Sequence, residues 1–197
     1  MNVELDAFLQ PDLSLLRETG MADEDIKHSV RVAKKALEIA RRVAAASGAS
    51  LDMELIGRGA LLHDLGKARS HAIGHGEIGA KMGRELGLPQ AVTDIMEKHI
   101  RGGMSAAEAA ELGLPPKDYT LHSLEERIVI YADRLVDIIW DGIAEIAAEK
   151  EAEALFADVL ERHVQYGKNA PTLQRYLRYH AEIQGLMGCP AMPRPVL

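Results

Sequence analysis

The segment Ile128-Val129-Ile130-Tyr131-Ala132 is apolar almost without interruption and is followed, on the same helical pattern, by a carboxylate, Asp133. Val129 and Val136 lie one turn either side of it, so Asp133 sits on a face that points inward. An ionised carboxylate buried there without a partner costs several kcal/mol. Any fold open to this chain must therefore bring a cation to that helix. The cation is either an arginine, such as Arg31 or Arg127, or a metal ion held jointly with other side chains.

The rest of the pattern is helical too. Val3 to Arg17 reads as a short amphipathic helix interrupted or restarted at Pro11 and closed by Gly20. Asp23 to Ala46 is a long helix with an acidic start, Asp23-Glu24-Asp25, and a basic end at Arg41 and Arg42, both favourable to the helix dipole. Gly48 suits its C-cap, and Ser50 can cap the next helix, which runs to about Asp64. After a polar loop from Ala68 to Gly74 come helices from His75 to Leu86 and from Pro89 to His99, then a short one from Ser105 to Leu112. Ser123-Leu124-Glu125-Glu126 is a capping box for a helix to about Trp140. Ala152 to Tyr166 and Pro171 to Leu186 are further helices, and the proline-bearing tail from Cys189 to Leu197 is expected to be irregular. No segment alternates like a strand, so residues 1–197 are expected to form a single all-α domain.

One cysteine, Cys189, excludes an internal disulfide framework and a thiolate metal cluster. The N-terminus shows no signal peptide pattern and no apolar run is long enough to span a bilayer. A cytoplasmic location without a membrane partner is expected. The formal charge of −7 argues against a nucleic acid polymer as partner, although local basic spots can still hold a phosphate.

Several histidines fall where Asp133 needs partners. His28 shares a face with Val32, Ile39 and Val43. In Leu61-Leu62-His63-Asp64-Leu65-Gly66-Lys67 an imidazole and a carboxylate stand side by side where Gly66 is expected to end a helix. Taken alone, such a pair is most simply a hydrogen bond. Asp64, with two oxygens, is also able to bridge two cations. His75 opens one helix and His99 ends the next, so a hairpin through Gly87-Leu88-Pro89 would bring the two imidazoles to one level. His71 reads as a loop residue, and His122, His163 and His180 have no partner by spacing.

The pieces His28-Ser29-Val30-Arg31-Val32-Ala33, His63-Asp64-Leu65-Gly66-Lys67 and Tyr131-Ala132-Asp133-Arg134-Leu135, in that order, resemble the HD-domain superfamily, close to its HDIG branch, over about residues 23–140. His75-Gly76-Glu77-Ile78-Gly79-Ala80 and Ile95-Met96-Glu97-Lys98-His99 further resemble the members that hold two metals. Leu65 stands where the signature has Ile, and Ile100 where some two-metal members carry a second His. Helices 152–186 lie outside the resemblance.

The resemblance implies one site of His28, His63, Asp64 and Asp133, and a second of Asp64, His75 and His99. Nitrogen and oxygen donors without sulfur suit Mn²⁺, Fe²⁺, Co²⁺, Ni²⁺ or Zn²⁺. It implies metal-dependent hydrolysis of a phosphoester of a nucleotide or related small molecule, with Asp64 and Lys67 catalytic. Lys67 would contact a phosphate oxygen, with Arg31, Lys98 and Arg101 as further contacts. Two other classes fit the same residues: an HD-fold diiron oxygenase, and a metal-binding regulatory module without catalysis.

Overall fold

The computed structural model describes residues 5–140 and 149–188. All regular structure among them is helical, as the periodicity implied. The α-helices are α1 (Gln10–Glu18), α2 (Asp23–Ser47), α3 (Met53–Leu62), α4 (His75–Glu85), α5 (Gln90–Lys98), α6 (Ala106–Glu111), α7 (Leu124–Trp140), α8 (Glu149–Ala154), α9 (Phe156–Arg162), α10 (Val164–Gly167) and α11 (Ala170–Leu186). Residues 1–4, at the start of the first expected helix, and the tail from Cys189 lie outside the described residues.

The frame around the site is three helices, α2 packed on α3 and both packed on α7. Val32, Ala36, Ile39, Ala40 and Val43 of α2 meet Ile56, Ala60 and Leu61 of α3 and Ile128, Val129 and Ala132 of α7 in one core cluster, all fully shielded. Burying a side chain such as Ile39 or Leu61 contributes about 1.5–3 kcal/mol, so this apolar frame is what holds the polar site in place. The α4–α5 hairpin leans on α3.

Chain punctuation follows the sequence in most places. Gly48 ends α2 with φ 75°. Ser123 Oγ accepts from Glu126 N at 3.0 Å while Glu126 receives Ser123 N at 2.8 Å, the reciprocal box at the start of α7. Three boundaries differ. α3 is capped by Asp52, which accepts from Leu55 N at 2.9 Å, and not by Ser50. The expected helix from 152 to 166 is three pieces, broken at Leu155 and at an extended His163 (φ −116°, ψ 98°).

The third difference bears on the site. Gly66 is not the cap of α3. The helix ends at Leu62, and the chain leaves it through Asp64, whose φ −94° and ψ 10° lie in the sparsely allowed bridge region. Gly66 is needed for a close approach instead. A Cβ there would lie 1.9 Å from the carbonyl oxygen of His75 and 2.7 Å from Gly79 N. Gly66 against Gly79 lets the 3-10 turn Leu65–Ala68 lie directly on the first turns of α4.

Candidate metal centre

That contact carries His75 up to Asp64. Six side chains from five elements converge there: His28 from α2, His63 and Asp64 from the end of α3, His75 from the start of α4, His99 from the end of α5, and Asp133 from α7. Asp64 stands in the middle, almost fully buried. Its Oδ2 lies 3.2 Å from His63 Nε2 and 3.8 Å from His28 Nε2. Its Oδ1 lies 3.1 Å from His75 Nε2 and 3.5 Å from His99 Nε2. Asp133 Oδ1 closes the first group, 3.0 Å from His28 Nε2 and 3.5 Å from His63 Nε2.

Local backbone sets the tautomers. His63, His75 and His99 each point Nδ1 at the carbonyl three residues back: Ala60 at 2.8 Å, Ala72 at 2.8 Å and Met96 at 2.7 Å. Each Nδ1 therefore carries a proton and donates it, which turns Nε2 toward the cluster as the nitrogen available to a metal, the orientation of a metal-binding imidazole. His75 Nε2 and His99 Nε2 are then 2.9 Å apart. Two lone pairs facing each other at that distance need a positive charge between or beside them. The donor set thus fits a cation. The triads His28, His63, Asp64 and Asp64, His75, His99 each keep their donor atoms within 4.8 Å of one another.

Without a metal, the cluster balances its charge by protonation. Burial pushes the Asp64 carboxyl up, but the imidazoles around it, His63 foremost, outweigh this and hold it well below the usual carboxylate range. Asp133 is likewise held well below its ordinary value, against burial, by His28 and His63. Burial pushes His63 down, and Asp64 and Asp133 more than reverse it, so it is raised well above an ordinary histidine. His99 is lowered by burial, with His63 and His75 adding to the effect.

The cluster floors a cleft of about 380 Å³. Lys67 reaches over it and donates to Asp64 Oδ2 at 2.5 Å. Arg101 also lines the cleft. Lys98 turns away and pairs with Glu126 at 2.8 Å. Arg31 lies over the Trp140 ring at 5.2 Å and is not among the lining residues. His71 lines the cleft rim, paired with Asp25 at 2.9 Å. His180 is also partnered, with Tyr131 Oη at 2.9 Å, far from this role.

Three charged lining residues, Arg134, Asp137 and Lys168, were not read from the sequence as site residues. Asp137, one turn beyond Asp133, faces His28 Nδ1 at 3.9 Å, and burial raises its carboxyl above the ordinary value, with Asp133 adding to the effect. Its i, i+4 spacing from Asp133 was a visible signal. Lys168 comes from between α10 and α11, where no spacing rule points to the cleft.

Residues 25–136 match the HD domain family model. The chain belongs to the HD-domain family. A protein of Methanocaldococcus jannaschii whose function is uncharacterised is 38% identical over 176 residues, covering 89% of this chain and 96% of that one. A tRNA (cytidine(56)-2'-O)-methyltransferase of Thermoplasma volcanium is 40% identical over 123 residues, 62% of this chain. The shared part is 35% of the methyltransferase, so this chain spans about a third of its length. In fold, the chain is similar to the HD domain of the phosphodiesterase PgpH from L. monocytogenes in complex with cyclic-di-AMP. The TM-score is 0.57 at 16% identity, covering 93% of this chain and 100% of that one. HD-family membership and the His/Asp cluster together give the chain that family's domain with a candidate metal-binding centre. No helix among the described residues is long and apolar enough to cross a membrane.

Proposed function

We propose that the chain cleaves a phosphoester of a nucleotide at a two-metal centre bridged by Asp64. The observation that carries this is the division of Asp64: Oδ2 faces His63 and His28, Oδ1 faces His75 and His99. A carboxylate so divided is suited to holding two ions, the first with His28, His63 and Asp133, the second with His75 and His99. When bound, such a pair of divalent ions lowers the pKa of a water toward neutrality and polarises a phosphoryl oxygen. The protein supplies the rest. The carbonyls of Ala60, Ala72 and Met96 orient the imidazoles, and the apolar frame of α2, α3 and α7 backs the cluster. Lys67, freed from Asp64, is placed to donate to a phosphate oxygen as charge builds on it. The cleft volume, about 380 Å³, is in the range of small-molecule sites, and the cyclic-di-AMP bound by the PgpH domain is a nucleotide.

The test is product analysis on a panel of nucleotide phosphoesters with metal-free protein reloaded with Mn²⁺, Co²⁺ or Fe²⁺, under argon and under air. Hydrolysis is expected to proceed equally with and without O₂ and to be restored by Mn²⁺ or Co²⁺. Strict dependence on iron and O₂, with oxygen entering an organic product, would move the assignment to the oxygenase class. No turnover with any metal would leave the regulatory module.

A further inference from the structure

Among the described residues, two non-glycine residues have positive φ, Arg101 (57°) and Lys168 (66°), and both line the cleft. Lys168, with ψ −87°, adopts a backbone that glycine takes freely and L-residues rarely do. Strain of this kind persists only where the surroundings enforce it. For Arg101 the enforcement comes from α11: Arg175 Nε donates to the Arg101 carbonyl at 3.3 Å and Tyr179 Oη to the Gly102 carbonyl at 3.0 Å. Tyr176 packs so near that a Cβ on Gly102 would lie 2.7 Å from its ring. For Lys168 it comes from both sides. A Cβ on the preceding Gly167 would lie 2.6 Å from the Leu160 carbonyl oxygen, and the following Asn169 caps α11 by accepting from Thr172 N at 3.0 Å.

The two side chains so held make no ion pair or side-chain hydrogen bond among the described residues, whereas Arg134 between the same walls is paired with Asp137 at 2.7 Å and Tyr176 at 3.0 Å. Lys168 is exposed at the cleft; partial desolvation, Arg134 and Arg101 lower its ammonium below the ordinary value, while the carboxylates of Asp137 and Asp133 oppose them. Two cations without an ion pair among the described residues, fixed on strained backbone at one cleft, are an arrangement suited to an anion.

We propose that Arg101 and Lys168 form a second anion subsite, and that the substrate carries a second phosphoryl group besides the one cleaved at the His/Asp cluster. This rests on reading the cleft as a phosphoester site. Arg101 lies within residues 25–136, the part that matches the family model, and Lys168 outside it, so half of the subsite comes from the connection between α10 and α11. The second phosphoryl group can sit on a diphosphate chain or across the ribose, and the experiment separates these.

The measurement compares kcat/KM of the Mn²⁺-loaded protein for 5′-AMP, ADP and adenosine 3′,5′-bisphosphate, in the wild type, Arg101→Gly, Lys168→Gly and Lys168→Arg. Glycine accepts both backbone conformations, and Lys168→Arg keeps the charge if a glycine variant fails to fold. In parallel, calorimetry on metal-free protein compares pyrophosphate with inorganic phosphate. The wild type is expected to prefer ADP or the bisphosphate over AMP. Each glycine variant should cut that preference about tenfold, the order of one charge-assisted hydrogen bond, and Lys168→Arg should retain it. Pyrophosphate should bind the wild type more tightly than phosphate, with the gap closing in the glycine variants. No preference in the wild type, a preference that survives in both glycine variants, or an equal loss on AMP and the two-phosphate substrates would overturn the subsite. If no phosphoester is turned over at all, the hydrolytic reading falls by itself and the pyrophosphate gap alone decides the subsite.

Discussion

Asp64 and Lys67 share one hydrogen bond, and the account gives them different tasks. Lys67 is not able to ligate a metal as an ammonium, and in the structure it donates to the carboxylate oxygen that faces His63. Burial pushes its ammonium down, but the carboxylate of Asp64 outweighs this and holds it above its ordinary value, so it stays charged. Lys67→Ala is expected to keep the full metal content while kcat falls about 10²–10³-fold, by analogy with loss of an oxyanion donor. Metal analysis beside steady-state kinetics checks it, and turnover within a few fold of wild type would reduce Lys67 to a structural partner of Asp64. At this scale the inward-facing Asp133 and the histidines at helix ends were legible as candidates, and the resemblance to the HD-domain superfamily joined them into two sites. Lys168 was not, since an isolated lysine in a loop looks like a solvated one until its backbone angles are known.

Among the helices, the contact that assembles the centre is glycine on glycine. Gly66 and Gly79 remove two Cβ atoms from the crossing of the 3-10 turn Leu65–Ala68 with α4, and the His75 carbonyl fills the space. Gly66→Ala would place a methyl group 1.9 Å from that oxygen, so α4 must shift. A cost of about 1–3 kcal/mol or more follows, equivalent to a fall in Tm of roughly 2–12 °C for a chain of this size. Because α4 carries His75, the metal held by His75 and His99 should weaken more than the one held by His28, His63 and Asp133. Thermal melting together with metal titration tests this. Unchanged melting and normal binding of both metals would show that the crossing tolerates a methyl group. The sequence showed that a glycine follows His63-Asp64, but periodicity only says where a helix stops. It does not report which element will lie against the stop, so a close-approach glycine read as a cap. For the same reason the break at His163 was invisible: three short helices against α11 carry the same apolar spacing as one.

Across the whole molecule, the helical class was readable from spacing alone, and the resemblance to the HD-domain family set the candidate ligands in order along the helices. What spacing does not carry is how the helices after α7 pack. They fold back so that α11 grips Arg101 and Gly102, and they set Lys168 at the cleft. The central claim is that one carboxylate, Asp64, joins the other five side chains into two metal sites. Its most direct test is Mn²⁺ titration of the metal-free protein followed by electron paramagnetic resonance. The account predicts two Mn²⁺ per wild-type chain with the exchange-coupled signal of bridged ions, and in folded Asp64→Ala loss of the coupling together with most of the metal. A single uncoupled Mn²⁺ in the wild type, or a full coupled pair retained in Asp64→Ala, would contradict it.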